Sequence, residues 1–284
     1  MRLTRLEYRW WQDNYARVCH DVLTHGLARG SREGEVLELG PTTLLAKHPQ
    51  YWVATKGRGG KRAFAEVEQL CYLAGVDQGP YLVGLGIAPS FKRFQEENGT
   101  WWGSYGPRLE LQLQHVVTEL RRHPDSRRAV TAIWSYKDLW RTMLDVPSVP
   151  CTLTMAFWRQ DELVHCHVTM RSCDVWFGLY YDLPAFTMFQ EAICWGLGGP
   201  TKPGWLWLTT TSLHLYAQHW VRAEGVVGSR VDVGRAGKGL PVRLSSEWPR
   251  EESPRRIDML ARWARGRLAM LGAGPETQES PSDK

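Results

Sequence analysis

The chain carries both helix-type and strand-type segments: apolar residues recur at helical spacing in several stretches, strand-type runs stand between them, and one pair of runs has the form of a hairpin. In order, Leu3, Leu6, Tyr8, Trp11, Tyr15 and Val18 set an amphipathic helix within residues 1–25. Gly26 to Gly34, G-L-A-R-G-S-R-E-G, is expected to be a loop holding Arg29 and Arg32. Val36 to Leu45 is a strand and its exit, and Lys56 to Lys61 a basic, glycine-containing loop. Arg62 to Ala74 is a helix with Phe64, Val67, Leu70 and Leu73 on its apolar face and Glu66 and Glu68 in its first half. A short helix is expected at Phe91 to Asn98, and Trp101-Trp102 can form an aromatic wall. Leu109 to Arg122 is amphipathic, burying Leu111, Leu113, Val116, Val117 and Leu120, and Ala129 to Trp134 is a strand.

The runs Cys151 to Trp158 and Leu163 to Met170 flank the polar turn Arg159-Gln160-Asp161-Glu162 as a hairpin does. Val175 to Gly196 is a long buried helix interrupted early by Pro184. Trp205 to Thr211 is a strand, and His214 and Tyr216, two apart in an extended segment, share a face. Residues 224–257 are polar and irregular, Ile257 to Leu271 is a helix, and 272–284 is a low-complexity tail. A single catalytic domain over residues 1–271 is expected.

With 43% hydrophobic and 23% charged residues, the composition is that of an ordinary folded protein. No apolar run reaches 18 residues, and Met1-Arg2-Leu3-Thr4-Arg5 lacks the apolar core of a signal segment, so no membrane partner and a cytoplasmic location are expected. The six cysteines show no C-x-x-C pairing, which argues against a metal site or a disulfide framework. The net charge of +5 is not gathered into one block, so it suits small anionic ligands better than nucleic acid. Fifteen tryptophans suit core and interface packing.

Pro150 delivers Cys151 at the start of the hairpin, and Arg171, Ser172 and Asp174 crowd its end. A thiol, a guanidinium and a carboxylate then meet at one end of one sheet, an arrangement for chemistry on an anion. Taken singly, each residue has an ordinary role: a cysteine packs, a loop arginine is solvated, a helix glutamate faces water. Taken in order, Pro150-Cys151, the hairpin, Arg171-Ser172-x-Asp174-x-x-x-Gly178 and a polar residue four places on resemble the thymidylate synthase family. Pro124-Asp125-Ser126-Arg127-Arg128, His214-Leu215-Tyr216, Arg32, Glu68 and Tyr105-Gly106 extend the resemblance over roughly residues 30–220.

That resemblance implies an α/β fold, its large mixed sheet flanked by helices and packed back to back in a homodimer. It implies a pyrimidine nucleoside monophosphate substrate and 5,10-methylenetetrahydrofolate as cofactor. Cys151 is then the nucleophile, favoured as thiolate by nearby arginines, and Glu68 moves protons through water; Tyr105 and Asp182 complete the catalytic set. Arg32, Arg171 and Ser172 bind phosphate with Arg127 and Arg128 of the partner, His214 and Tyr216 grip the sugar, and Asp174 and Gly178 lie beside the cofactor. The family's usual C-terminal closing segment is not recognisable.

Two departures concern the base. Asp182 stands where thymidylate synthases have asparagine, whose amide donates to oxygen 4 of uracil and accepts from N3–H. A carboxyl group is expected not to serve both, and suits the 4-amino group and N3 of cytosine. A mismatched buried polar group costs about 1–3 kcal/mol, roughly ten- to hundredfold in discrimination. Thr152 replaces the histidine that follows the family's cysteine. Both changes resemble the cytidylate 5-hydroxymethylase branch, in which water quenches the transferred methylene. A thymidylate synthase acting on dUMP, and a non-catalytic nucleotide-binding homologue, are the alternatives.

Overall fold

The computed structural model describes residues 11–46, 58–144, 146–228, 247–249 and 255–272. Helix α1 (Trp11–His25) leads into β1 (Leu27–Ser31), β2 (Gly34–Leu39) and β3 (Thr42–Ala46). The segment read as a loop at 26–34 is thus one arm and the tip of a β1–β2 hairpin, paired from Leu27 with Glu38 to Ser31 with Gly34. Every residue of β1 is exposed, so no alternation of apolar and polar residues marked it as a strand. Helix α2 (Arg62–Ala74) has the bounds its apolar spacing predicts, and Gly75 ends it in the left-handed region (φ 72°), where glycine is at ease.

Next come α3 (Gln78–Gly84), a 3₁₀ turn (Pro89–Phe94), α4 (Gly106–Leu109) and α5 (Gln112–Arg122). The single helix expected at Leu109 to Arg122 is divided, and Leu111, in the break, is 77% exposed instead of buried. Strand β4 (Val130–Ala132) and α6 (Tyr136–Thr142) precede β5 (Thr152–Gln160) and β6 (Leu163–Met170). The β5–β6 pairing runs to Gln160 opposite Leu163, so the turn is Asp161-Glu162 alone, with Asp161 at φ 53°. The remaining elements are β7 (Cys173–Asp174), a wide π-type turn (Val175–Leu179), α7 (Tyr180–Leu197), β8 (Lys202–Thr210), β9 (Leu213–Tyr216), α8 (Trp220–Gly228) and α9 (Arg256–Met270). Pro184 lies within α7 without breaking it, in the turn after the wide π-type one. Residues 224–228, expected to be irregular, close α8. The expectations for residues 1–10, 229–246, 250–254 and 273–284 lie outside the described residues.

Two mixed sheets result, β1-β2-β9-β7 and β3-β8-β6-β5-β4. β6 and β8 run parallel, joined by α7, while β5–β6 and β3–β8 are antiparallel. Alternation sends Val164, Cys166, Val168 and Met170 of β6 into the core with Phe186, Phe189 and Ile193 of α7. On the other face of that sheet Trp158, His165, Trp205 and Trp207 cluster, with Trp158 and Trp207 centroids 5.2 Å apart. All six cysteines are free, and no described helix is long and apolar enough to cross a membrane.

A buried ion pair fastens α4 to α6. Arg108 Nη1 and Nη2 donate to Asp138 Oδ2 and Oδ1 at 2.8 and 2.9 Å, and Trp102 Nε1 donates to Oδ1 at 2.7 Å. Burial raises the Asp138 carboxyl, but these donors and the Ser135 N–H outweigh it and hold the group below its ordinary range. Asp138→Ala is expected to destabilise the fold by about 2–4 kcal/mol, because it leaves the partly buried Arg108 and the Trp102 N–H without their anion. Urea unfolding measures this, and a loss under about 1 kcal/mol would refute it.

Candidate active site

The β5–β6 hairpin, the β7–α7 junction, α2 and the tip of the β1–β2 hairpin enclose a cavity of about 1130 Å³. Its wall includes Cys151, Arg171, Ser172, Asp174, Gly178, Asp182, Glu68, Tyr105, His214, Tyr216 and Arg32. Residues separated by up to 184 positions are therefore gathered at one place, in a space large enough for a nucleotide and a second ligand.

Cys151 lies just before β5, where Arg171 anchors it. Arg171 Nε donates to Pro150 O at 2.8 Å, Nη2 donates to Val149 O at 3.1 Å, and Nη2 lies 3.7 Å from the sulfur. Burial pushes the Cys151 thiol up; Arg171 pulls it down, while Asp182, Asp174 and Glu33 add to the rise. The expectation that nearby arginines favour the thiolate is thereby corrected for the single chain: burial outweighs the one guanidinium in contact.

Behind the thiol lies a network of aromatic and acidic side chains. Tyr105 Oη accepts from the Thr152 N–H at 3.1 Å, and the Tyr105 ring stacks on Tyr72 at 5.4 Å. Glu68, 8% exposed, is pushed up to about 8 by burial and by the Asp182 carboxylate, against a hydrogen bond with Tyr72. Asp182 is pushed up to about 7 by burial and then by Asp174. Both groups hold exchangeable protons near neutrality, as proton-transfer groups do. Gly178 admits Asp182, since a Cβ on it would come 3.2 Å from Oδ2. Asp174 caps the wide turn, accepting from Trp176 N–H at 2.9 Å and Phe177 N–H at 3.1 Å. Burial raises its carboxyl against those two donors and His214. The His214 and Tyr216 rings share a face, 5.2 Å apart edge to face.

One expected site residue lies elsewhere. Thr152 is wholly buried and does not line the cavity, because alternation turns its side chain away from the direction Cys151 takes. It cannot touch a base there directly. Arg127 and Arg128, expected at a partner's site, are exposed ahead of β4 and do not line this chain's own cavity. Arg32 reaches only the lip, where its Nη1 donates to Val146 O at 3.4 Å. The expected aromatic wall is also different. Trp101 packs on Gly79, where a Cβ would come 2.1 Å from the ring, and Trp102 is held by Asp138. The cavity is walled instead by Phe64, Phe91, Trp176, Phe177 and Tyr181.

Sequence reasoning missed Arg58 and His219. Arg58 is 7% exposed, with its guanidinium 4.2 Å from the Trp176 centroid and 4.3 Å from that of Tyr180. His219 stacks on Trp176 at 5.5 Å, and burial with three neighbouring arginines, Arg222, Arg58 and Arg93, holds it down at about 4. Nothing in a loop of glycines and basic residues distinguishes a buried arginine from a solvated one. Among the described residues, no group of three or more His, Cys, Asp or Glu side chains is placed to hold a metal.

The chain was compared with known proteins. The family model described as thymidylate synthase matches residues 91–230. A thymidylate synthase of Buchnera aphidicola subsp. Baizongia pistaciae is 28% identical over 123 residues, 43% of this chain. The match spans less than half of that relative, 44% of its length. Arg32, Arg58 and Glu68 precede the matched family segment, whereas Cys151, Arg171, Asp182 and His214 fall within it. Residues 91–230 are thus similar to the thymidylate synthase family, and the thiol, its guanidinium and the Asp182 carboxyl all lie within that matched segment.

Proposed function

We propose that the chain is a pyrimidine nucleotide 5-hydroxymethyltransferase acting on dCMP or CMP. The observation that carries this reading is the Asp182 carboxyl, placed against Gly178 in the cavity that also holds Cys151. Cys151 Sγ adds to ring carbon 6, which makes carbon 5 nucleophilic. Its thiol proton must leave first, passing through water to Glu68 in its ionised form, while the Tyr105 hydroxyl on the same wall can relay it. Arg171 and Ser172 hold the phosphate from this chain, and His214 and Tyr216 hold the sugar. Retention of Ser172 favours the deoxyribonucleotide.

The cavity residues fit methylenetetrahydrofolate. Phe177, half exposed on the wall beside Trp176, offers a flat apolar face, and Asp174 with Gly178 borders it. When bound, that cofactor supplies the one-carbon unit, which in this proposal is released on carbon 5 as a hydroxymethyl group. Arg127 and Arg128, exposed and away from their own cavity, suit a shared site in a homodimer. The tryptophan-bearing face of the larger sheet suits its interface.

The ionisation of Asp182 refines the base argument. As an ionised carboxylate it accepts from the cytosine 4-amino group and has no proton for oxygen 4 of uracil. As a neutral acid it can pair with either base edge, so a carboxyl group excludes uracil only when ionised. Preference for cytosine should accordingly grow as pH rises through about 7.

Tritium release from carbon 5 tests this. With methylenetetrahydrofolate present, dCMP or CMP should exchange faster than dUMP, and the ratio should rise from pH 6 to pH 8. Asp182→Asn should gain dUMP exchange, and Cys151→Ala should lose exchange while still binding nucleotide. Exchange confined to uracil nucleotides would overturn the cytidylate reading, and full activity of Cys151→Ala would overturn the enzyme. Dihydrofolate absorbance in the same assay would reveal methyl transfer instead.

A second test needs no substrate. The folded Asp182 carboxyl, at about 7, lies above its ordinary 3.8, so the stability of the neutral form is present below about 3.8 and is lost as pH rises towards 7. Asp182→Asn should therefore gain stability over the parent between pH 5 and pH 8, on the order of 2 kcal/mol. A difference in Tm that does not change with pH would show that this carboxyl is not held neutral.

A further inference from the structure

Arg58 has no ion-pair partner among the described residues, yet its guanidinium is buried between two rings. Nε donates to Tyr15 Oη at 3.3 Å, Nη2 donates to the Trp176 carbonyl, and Tyr15 Oη donates to the Val175 carbonyl at 3.1 Å. Burying a cation without a carboxylate costs several kcal/mol, of which ring faces and carbonyls return a part. An apolar side chain of similar length would fill the same space at lower cost. Stability alone does not account for an arginine here.

The two carbonyls it reaches, directly and through Tyr15, open the wide turn Val175–Leu179. That turn is capped at its start by Asp174, carries Gly178, and passes directly into α7, where Asp182 lies 3.2 Å from the space a Gly178 Cβ would occupy. A slip of one residue between a wide turn and an ordinary one would rotate every later side chain of α7 by about 100°. It would carry Asp182 out of the cavity. We propose that Arg58, with Tyr15, is a positioning residue that holds the wide turn in register and thereby sets where Asp182 presents its carboxyl group. This rests on the reading that Asp182 faces the base.

Arg58→Met, Arg58→Lys and Tyr15→Phe test it, each scored for unfolding, nucleotide binding and carbon 5 exchange with dCMP and dUMP. Arg58→Met should still unfold cooperatively and bind nucleotide, yet exchange dCMP about ten- to hundredfold more slowly at little changed KM. Its dCMP to dUMP ratio should lose the rise between pH 6 and pH 8. Arg58→Lys, which keeps one cationic donor, should recover part of the rate. An Arg58→Met protein with parental rate and pH profile would overturn the proposal. If that variant does not fold, Tyr15→Phe decides, and an unchanged ratio and profile would overturn it. If the parent exchanges neither base, the proposed function falls instead. The Arg58 role is then judged by whether Arg58→Met shifts the pH-dependent stability that Asp182→Asn removes.

Discussion

The burial of carboxyl groups away from cations shapes everything at this site. Glu68 and Asp182 are both raised, first by loss of water and then by a neighbouring carboxylate, with no arginine close enough to neutralise either. Two protons are therefore kept near neutrality in a wall where ordinary carboxyls would be ionised. The cavity separates its charges: Arg171 lies against the sulfur, Arg58 lies between rings beneath the wide turn, and the acids stand on α2 and α7. Were a lysine or arginine to reach Asp182, it would become a fixed anion, and its capacity to donate would be lost.

Arg171 illustrates how one side chain serves structure and chemistry together. Its Nε and Nη2 are engaged with the carbonyls of Val149 and Pro150 and with the sulfur, so the segment leading into β5 is held by the end of β6. Those contacts leave Nη1 to meet an anion. Under the proposed function the same guanidinium that places Cys151 meets the phosphate, so that binding the nucleotide and aligning the nucleophile become one event.

Much of the fold was legible because its strongest elements obey simple periodicities. The apolar spacing of Phe64, Val67, Leu70 and Leu73 with Gly75 behind them fixes α2, and the hairpin was evident from two strand-type runs around a polar turn. β1 was not, since a strand exposed on every residue carries no alternation. Leu111 misled because helical spacing continues through a break that only backbone geometry reveals. Pro184 misled in the opposite sense: it predicts an interruption, but α7 begins only four residues earlier and keeps its course. At the site, order along the chain brought eleven named residues to one wall, while Thr152 was misplaced because neighbours in a strand face opposite ways. Arg58 carried no signal, since its role depends on rings contributed by residues more than a hundred positions away.

The division between the matched family segment and the rest of the chain has a chemical meaning. The segment supplies a thiol, a guanidinium and an acid, the groups that the proposed chemistry at carbon 5 of a pyrimidine calls on. What happens to a one-carbon unit delivered there depends on whether water is kept out, and that is a property of walls and not of the nucleophile. Of those walls, Arg58, Lys61, Phe64 and Glu68 precede the segment, Phe91 is its first residue, and Trp176, Phe177 and Tyr181 lie within it. With Lys61 and Phe177 exposed at the edge of the cavity, water can approach the side on which Asp174 and Gly178 lie. Quenching by water requires such an approach, whereas hydride transfer is served by closing it.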